Sequence, residues 1–387
     1  MPRTVAVVTS SRADYGHLYW VIREMRDRPG LEPRLVVMGA HLSDEFGAAV
    51  DEIERDGFAV AERIECLIDS DTDVGMASTI GVATLGLAQA LGRMRPDMLL
   101  LIADRYEMLA PASVGLALRI PMAHIEGGDV SEGAIDDAVR NALTKMSHLH
   151  FAPTETARRR LLAMGEEEWR VHRSGAPSLD HLRRSDLLDR GQLASRLGRE
   201  IAEGSLLVSY HPVTIARDTL LEADALFAAL EATPHPLVLC FPNADAGSRA
   251  LVRRARALCE LRADAHLFVN LNPVVYWSLL FAVGAIVGNS SSGIMESPSI
   301  PLPAVDVGAR QHGRERARNV IGAPAEAKAI AVAIERAFDP AFRQEIRGIE
   351  NPYGDGHAAR RIVDVLAGAP DRDRLLRKRP APVPQDG

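Results

Sequence analysis

Charged side chains follow two short apolar runs in the N-terminal half of the chain. Met98–Ile102 and Met122–Ile125 have the length and composition of buried parallel strands. The charged residues that follow them are Asp104, Arg105, Glu107, Glu126 and Asp129. Because the carboxyl ends of parallel strands meet at the ligand-binding edge of an open α/β sheet, we expect these side chains to lie close together. Carboxylates there can accept and return protons, so the stretch predicts acid–base chemistry.

An amphipathic helix is predicted after Gly133. Its apolar residues recur at spacings of three and four, at Ile135, Val139, Leu143, Met146 and Leu149. Asp136 and Asp137 fall in the first turn, where acidic residues commonly complement the helix dipole. The same dipole would keep a carboxylate ionised and directed at the cleft. A structural and a functional interpretation of Asp136 are therefore compatible.

A phosphate-binding loop is predicted after the apolar run Ala285–Gly288 in the C-terminal half. The loop consists of the small residues Asn289, Ser290, Ser291, Ser292 and Gly293. A helix is expected to begin at Ile294, with Glu296 in its first turn. Such a loop offers N–H groups and hydroxyls to phosphate oxygens, and the alternative is an ordinary helix cap. Because the loop lacks the lysine of a P-loop, ATP hydrolysis is not indicated.

Other predicted strands of the C-terminal half also end in polar loops. Leu206–Tyr210 is followed by His211, and Leu237–Phe241 by a loop that contains Asn243. Beyond Asp306 comes a basic run with Arg310, Arg314, Arg316 and Arg318. Arg310 comes soonest after the strand, so it is the candidate to contact an anion, and the others are expected on a solvated helix face.

Strands and helices alternate along both halves, which predicts an α/β fold of two doubly wound, Rossmann-like domains. We expect an N-terminal domain over 1–175 and a C-terminal domain over 176–368, whose last helix is a candidate to pack back on the N-terminal domain. The segment 369–387 is polar and proline-rich and is predicted to be disordered. A charged helix is predicted over Leu182–Leu197.

Arg12 and its neighbours stand where a dinucleotide-binding protein has GxGxxG, which argues against NAD or FAD as a cofactor.

Composition narrows the functional classes further. The 387 residues exceed what one hydrophobic core usually organises, and the net charge of -7 argues against nucleic acid as a partner. Neither a signal segment nor an apolar run of membrane-spanning length is evident, so we predict a cytoplasmic protein without membrane association. Cys66, Cys240 and Cys259 form no CxxC pair, and no zinc-type spacing occurs, so neither a disulfide framework nor a metal site is predicted.

Eight runs together resemble one family, in order and over about Arg3 to Leu366. They are SRADYGHL, HLSDEFG, HIEGGDVSEGAIDDAVRNALTKMSHLHF, SYHPVT, FPNADAGSR, GNSSSGIMES, VDVGARQHGRE and NPYGDG. The family is the hydrolysing UDP-N-acetylglucosamine 2-epimerases, which begin bacterial sialic acid synthesis. Non-hydrolysing relatives carry a GTRPE-like run in place of SSRADYG and a basic run in place of SYHPVT, so the resemblance is to the hydrolysing branch.

The resemblance implies a glycosyltransferase-B-like fold with the sugar nucleotide between the domains. It implies conversion of UDP-N-acetylglucosamine and water to N-acetylmannosamine and UDP, by elimination to a glycal followed by hydration. No cofactor or metal is expected. The expected assembly is a homodimer or homotetramer. The catalytic residues by motif position are Asp104, Glu126, Asp136 and His211. The substrate-binding residues are Arg12, Arg105, Asn243, Ser290, Ser291, Ser292, Glu296 and Arg310. One departure is Ala103, where the family usually has glycine, which is expected to tighten the turn before Asp104.

Three alternatives remain open at this point. The same reaction could act on a UDP-2,4-diacetamido sugar of the legionaminic acid pathway or on a GDP-linked sugar. A retaining glycosyltransferase of the same architecture would bind the same donor, since fold alone does not fix function. A non-enzymatic nucleotide-sugar sensor is the third alternative. The clustered carboxylates argue against a sensor, because they would repel a diphosphate in simple binding.

Overall fold

A computed structural model describes residues 1–43, 49–68, 70, 72–215, 218, 220–241, 248–269 and 271–379. The N-terminal half folds around a parallel seven-stranded sheet in the order β3-β2-β1-β4-β5-β6-β7. Its elements are β1 (Arg3–Thr9), α1 (Arg12–Asp27), β2 (Leu31–Met38), α2 (Val50–Arg55), β3 (Val60–Ile64), α3 (Asp73–Met94), β4 (Met98–Ile102), α4 (Leu109–Leu118), β5 (Met122–Ile125), α5 (Asp136–Met146), β6 (Leu149–Ala152), α6 (Glu155–Ala163) and β7 (Val171–Arg173).

The C-terminal half repeats the architecture with a parallel six-stranded sheet in the order β10-β9-β8-β11-β12-β13. Its elements are α7 (Asp180–Arg184), α8 (Arg190–Leu197), β8 (Leu206–Ser209), α9 (Ala223–Ala232), β9 (Leu237–Cys240), α10 (Ser248–Leu261), β10 (Ala265–Phe268), α11 (Pro273–Ala282), β11 (Ala285–Gly288), α12 (Ser292–Met295), β12 (Ala304–Val307), β13 (Val320–Ala323), α13 (Ala327–Phe338), α14 (Pro340–Glu345), α15 (Ala358–Ala367) and α16 (Arg372–Leu376). The predicted fold of two doubly wound domains is confirmed.

Burial on both faces explains why the central strands are continuous apolar runs. Every residue of β4 and of β5 is buried, as expected for parallel strands covered by helices on both sides. These strands pair in register from Leu99 with Met122 to Ile102 with Ile125, so their carboxyl ends lie side by side. The residues that follow them are thereby brought to one edge of the sheet.

One predicted helix is interrupted, and one strand was not predicted. The expected helix Leu182–Leu197 is two helices, because Asp189 caps α8 by accepting a hydrogen bond from the Gln192 N–H (2.8 Å) in a capping box. Strand β13 was not anticipated from the sequence, since it is four residues long and only half buried at the sheet edge.

The chain returns to the N-terminal domain after the second sheet. Asp180 accepts hydrogen bonds from the N–H groups of Ala358 (2.8 Å) and Ala359 (3.0 Å), the first two residues of α15. The apolar face of α15 joins the core of the N-terminal domain and packs against α1. Its last helices therefore tie the C-terminal half to the N-terminal sheet.

The expected disorder of 369–387 is wrong for the described part, which extends to Arg379. Arg372–Leu376 forms α16, and Leu375 is buried in the N-terminal core. The fully buried Arg170 donates hydrogen bonds to the carbonyls of Leu375 and Arg377, both at 2.9 Å. One apolar side chain and a buried arginine thus order a segment whose overall composition is polar. Residues 380–387 lie outside the described part.

One helix among the described residues, α3, is long and apolar enough to cross a membrane by length and composition. Only 33% of its apolar window is buried. The buried side, which includes Ala83, Leu87 and Leu91, belongs to the N-terminal core, so α3 covers the sheet as a surface helix. The expectation that no apolar run approaches this length was wrong.

Candidate active site

A cavity of about 290 Å³ is lined by residues that follow the central strands of both domains. It holds eleven of the twelve predicted site residues, which are Arg12, Asp104, Arg105, Glu126, Asp136, His211, Ser290, Ser291, Ser292, Glu296 and Arg310. The twelfth, Asn243, lies outside the described residues. The roles of these residues remain predictions, but the structure brings their side chains to one place.

Glu126 stands directly after β5 with a left-handed backbone (φ 65°). Its N–H donates to the Phe151 carbonyl (2.8 Å), so the neighbouring strand fixes this conformation. The Oε1 atom of Glu126 lies 2.8 Å from Nδ1 of His17 on α1. Burial would lower the pKa of His17, but the Glu126 carboxylate raises it to about 9. The two side chains therefore form a charged pair at neutral pH.

Asp104 follows a second left-handed residue, Ala103, with φ 55°. The Ala103 N–H donates to the Ile125 carbonyl (2.9 Å), and Nε2 of His124 lies 2.7 Å from the Ala103 carbonyl oxygen. A left-handed alanine is strained by about 1–2 kcal/mol, whereas glycine adopts this conformation freely. The glycine usual in the resembled family fits this backbone, and the neighbouring strand end holds alanine in the same geometry.

The carboxylate of Asp104 is paired with Arg140, which projects from α5 and is almost fully buried. Arg140 also donates to the Ser131 hydroxyl (2.8 Å) and the Asp129 carbonyl (3.1 Å), which fixes the guanidinium. Burial would raise the pKa of Asp104, but Arg140 and the more distant Arg314 lower it below its usual value. Asp104 is therefore held as an anion.

Asp136 begins α5 and meets the C-terminal domain. Nη2 of Arg310 donates to Asp136 Oδ2 at 3.2 Å, and Nη1 donates to the Asn289 carbonyl at 3.2 Å. The backbones approach closely here, because a Cβ on Gly133 would lie 2.5 Å from the Arg310 Cα. Glycine at 133 thus permits the contact between the domains.

Comparison with known proteins bears directly on this site. The family model described as UDP-N-acetylglucosamine 2-epimerase matches residues 23–367. The chain belongs to this epimerase family. A GDP/UDP-N,N'-diacetylbacillosamine 2-epimerase (hydrolyzing) of Campylobacter jejuni is 33% identical over 97% of this chain and 98% of that protein. A UDP-N,N'-diacetylbacillosamine 2-epimerase (hydrolyzing) of Legionella pneumophila is 33% identical over 98% and 99%.

A third relative and two solved structures complete the comparison. A UDP-N-acetylglucosamine 2-epimerase of Neisseria meningitidis is 30% identical over 87% of both chains. A structure of the Methanocaldococcus jannaschii epimerase in complex with UDP-GlcNAc and UDP has a TM-score of 0.78 at 16% identity, covering 95% of this chain and 100% of that one. One from Listeria monocytogenes has a TM-score of 0.78 at 17% identity, covering 95% and 96%. The epimerase therefore has the glycosyltransferase-B-like fold.

The small-residue loop of the epimerase forms the opposite wall of the cavity. The helix begins at Ser292 and ends at Met295, so Glu296 follows the helix and the expectation that it lies in the first turn was wrong. The Ser178 hydroxyl donates to Glu296 Oε1 (2.5 Å), while the buried Oε2 has no hydrogen-bond partner among the described residues. The Tyr276 hydroxyl lies 2.8 Å from the Ser292 hydroxyl oxygen.

The position of His211 is fixed by hydrogen bonds that its backbone makes with Asn289. Its N–H donates to Asn289 Oδ1 (2.7 Å), and Asn289 Nδ2 donates back to the His211 carbonyl (2.8 Å). Asn289 is fully buried, so this reciprocal pair joins the loop after β8 to the loop after β11. The predicted histidine and the predicted serine loop are thereby held as one unit.

Arg12 and Arg105 each already contact an acidic side chain. Arg12 Nε lies 3.4 Å from Glu52, and Arg105 Nη2 donates to the fully buried Glu107 at 2.8 Å. Both guanidinium groups still line the cavity, so they can contact substrate while their acidic partners hold them in position.

Sequence reasoning missed three functional candidates: His17, Arg140 and Arg314. Arg314, expected on a solvated face, is 6% exposed and lies 3.0 Å from Asp129 of the other domain. Arg140 is next to Val139 on the buried side of α5. A charged residue on the predicted apolar face of the helix was the sequence feature that could have identified it. Among the described residues, no three His, Cys, Asp or Glu side chains are arranged to hold a metal ion.

Proposed function

We propose that this protein is a hydrolysing 2-epimerase that releases the nucleoside diphosphate from a nucleotide-linked N-acetylated amino sugar. One observation carries the proposal: Asp104, Glu126 and Asp136 converge on a single cavity, each beside a cation, across from the serine loop. Carboxylates suit proton transfer, and the arginines and N–H groups suit a departing diphosphate.

The chemistry requires elimination, because carbon 2 of an N-acetylhexosamine has no neighbouring carbonyl to acidify its hydrogen. A carboxylate takes the C2 proton, and the electron pair of that bond forms the C1–C2 double bond. The C1–O bond breaks, and its electrons leave with the diphosphate. Water then adds to C1 of the glycal, a proton is delivered to the opposite face of C2, and the free sugar departs.

The residues divide between the two parts of the substrate. We assign proton transfer to Asp104, Glu126 and Asp136, and diphosphate contacts to Arg310, His211 and the serine loop. Glu296 is suited to the ribose hydroxyls, because its Oε2 is buried and without a partner among the described residues. A buried acceptor of that kind gains a hydrogen bond when a hydroxyl donor arrives.

We propose a nucleotide-linked N,N'-diacetylbacillosamine as the preferred substrate. The Campylobacter and Legionella relatives named for this sugar share 33% identity over nearly the whole chain. UDP-N-acetylglucosamine is the second candidate, supported by the Neisseria relative at 30% identity over a shorter span. The two sugars differ at C4, where the first carries an acetamido group in place of a hydroxyl, and at C6, where it carries a methyl group in place of a hydroxymethyl group.

The test is turnover of a panel of UDP- and GDP-linked amino sugars without any acceptor, with both products identified by NMR. We expect release of nucleoside diphosphate together with the free 2-epimerised sugar, with the highest kcat/KM for the diacetamido substrate. Diphosphate release only after an acceptor is added would indicate a glycosyltransferase. Tight binding without turnover would indicate a sensor.

We further propose that the enzyme is a homodimer or homotetramer in the cytoplasm, with α3 at the subunit interface. No charged residue occurs from Val74 to Gly92, and Val74 and Leu85 are 69% and 74% exposed. In a two-fold dimer, α3 of one subunit would pack antiparallel on α3 of the other, with the axis between Gly81 and Val82. Leu85 of each subunit would then lie over Ser78 of the other, so a large side chain meets a small one.

Light scattering tests the interface. Wild-type protein should have a mass at least twice 42.0 kDa, and Leu85→Lys should lower it. The control is Leu261→Lys on α10, a leucine with 75% exposure in the other domain, which should leave the mass unchanged. A monomeric wild-type protein would contradict the proposal.

A further inference from the structure

The pair of His17 and Glu126 differs from the other two cation–carboxylate pairs of the cavity. Asp104 and Asp136 face arginines, which stay charged at every accessible pH. Glu126 faces an imidazole, whose charge can change in the physiological range. The side chain of His17 is 22% exposed and that of Glu126 is 9% exposed, so both can be reached from the cavity. This is a titratable ion pair at the proposed centre of proton transfer.

Three other buried histidines have structural partners instead. His124 bonds the Ala103 carbonyl, His148 accepts from the Met122 N–H, and His181 bonds the Gly16 carbonyl. Burial lowers the pKa of each of these three to about 4, so they are neutral. His150 also faces a carboxylate, with Nε2 2.9 Å from Glu166 Oε2, yet burial lowers its pKa and it does not line the cavity. His17 differs because it faces a carboxylate that lines the cavity and because its pKa is raised.

The surroundings of His17 favour its charged form. Glu126 follows β5, Glu296 follows α12 in the other domain, and Asp14 lies on the same helix one turn earlier, and all three raise the pKa of His17. His181 on α7 interacts electrostatically with His17, and burial lowers the pKa of His181 to about 4, so it is neutral. Gly16 packs closely on Pro273, which fixes this part of α1 against the C-terminal domain.

The geometry also orients the carboxylate. Oε1 of Glu126 is occupied by His17 Nδ1, while Oε2 has no hydrogen-bond partner among the described residues. A charge-assisted hydrogen bond to one oxygen holds a side chain in one rotamer and leaves the other oxygen to the substrate. His17 therefore contacts one oxygen of Glu126, and Oε2 is available to accept the proton from C2 of the sugar.

We propose that His17 is a positioning residue of the epimerase, a protonated counter-ion that holds the Glu126 carboxylate in one rotamer for transfer of the C2 proton. The inference rests on the proposed function. We expect the enzyme to be active while the His17 imidazole is charged and less active once the imidazole is neutral. A neutral imidazole can keep only an uncharged N–H hydrogen bond to the carboxylate, which is weaker, so Glu126 is held less firmly in its orientation.

Histidine NMR titration tests the pair without turnover. In ¹⁵N-histidine-labelled protein, the His17 resonance, assigned by its loss in His17→Gln, should titrate with a pKa of about 9. In Glu126→Gln that pKa should fall by at least one unit. A His17 that titrates below pH 7 in wild-type protein, or that is unmoved by Glu126→Gln, would overturn the proposal even if the enzyme is an epimerase.

Kinetics of two His17 variants test the role. His17→Gln should lower kcat roughly 10–100-fold with little change in KM and should lose the decline of activity near pH 9. His17→Lys keeps a cation that titrates higher, so it should recover most of the loss and move the decline to higher pH. The control is His357→Gln, an exposed histidine at the start of α15, which should behave as wild type.

The outcomes separate the two proposals. Wild-type kcat and an unchanged pH profile in His17→Gln would overturn the role of His17 and leave the epimerase function standing. Equal loss in His17→Gln and His17→Lys, with both variants folded by circular dichroism, would also overturn it. Failure of wild-type protein to release diphosphate from any sugar nucleotide would instead overturn the proposed function.

Discussion

Arg310 and Asp136 form an ion pair between the two domains, with 3.2 Å between Nη2 and Oδ2, although they lie 174 residues apart in the sequence. The side chains are 14% and 20% exposed, so the pair lines the cavity and is partly shielded from water. Arg310 also reaches the carbonyl of Asn289 at the start of the serine loop. One guanidinium therefore connects the proposed proton-transfer side with the proposed phosphate side.

Replacing Arg310 by glutamine should weaken nucleotide binding. A charge-assisted hydrogen bond contributes about 1.5–3 kcal/mol, so the Kd for UDP should rise roughly 10–100-fold in calorimetry. Arg318→Gln is the matched control, because Arg318 belongs to the same basic run and is exposed. Unchanged UDP affinity in Arg310→Gln would mean that this side chain only joins the domains.

Replacing Ala103 by glycine should stabilise the protein. Its left-handed backbone (φ 55°) costs alanine about 1–2 kcal/mol and glycine almost nothing, whereas glycine loses about 0.5–1 kcal/mol in chain entropy. We expect the free energy of unfolding in urea to rise by up to about 1 kcal/mol. Ala110→Gly, in the helical α4, should lower it by about 1 kcal/mol. Destabilisation by Ala103→Gly would show that the backbone there is not strained.

The sequence reveals what depends on local pattern. The apolar runs that became β4 and β5 end in polar residues, and parallel pairing then brings Asp104 and Glu126 to one edge. The small-residue loop after β11 was equally visible, although the helix that follows is one turn long and leaves Glu296 beyond its end.

Contacts between distant segments were not visible in the sequence. The partner of Asp104 is Arg140, 36 residues away on another element, and Arg314 meets Asp129 only because the domains approach each other. The ordered segment around Leu375 depends on the buried Arg170, about 200 residues earlier in the sequence. Pattern rules describe neighbours along the chain, and these side chains find their partners only in the folded protein.

Replacing Glu126 by glutamine should abolish most turnover while leaving nucleotide binding intact. The amide keeps the size of the side chain but cannot accept a proton, so kcat should fall roughly 10²–10⁴-fold. The Kd for UDP should stay within a few-fold of wild type, because Glu126 lies on the sugar side of the proposed site. Glu168→Gln, at a side chain with 81% exposure, is the control. Normal turnover in Glu126→Gln would assign Glu126 a structural role.

Isotope labels should reveal which bonds break. In phosphate hydrolysis, water attacks phosphorus and its oxygen appears in the nucleoside diphosphate. In direct displacement at C1, the C2 hydrogen is untouched. Elimination followed by hydration differs from both, because it brings water oxygen to C1 and solvent hydrogen to C2.

We therefore expect that, in heavy-oxygen deuterated water, the product sugar carries both labels and the diphosphate carries neither. Asp104 and Glu126, at two adjacent strand ends, suit this two-step proton transfer better than a single in-line attack. The measurement is mass spectrometry of both products after partial conversion, with unreacted substrate analysed in the same sample. Labelled diphosphate, or a product that retains its original C2 hydrogen, would contradict elimination and with it the proposed epimerase reaction.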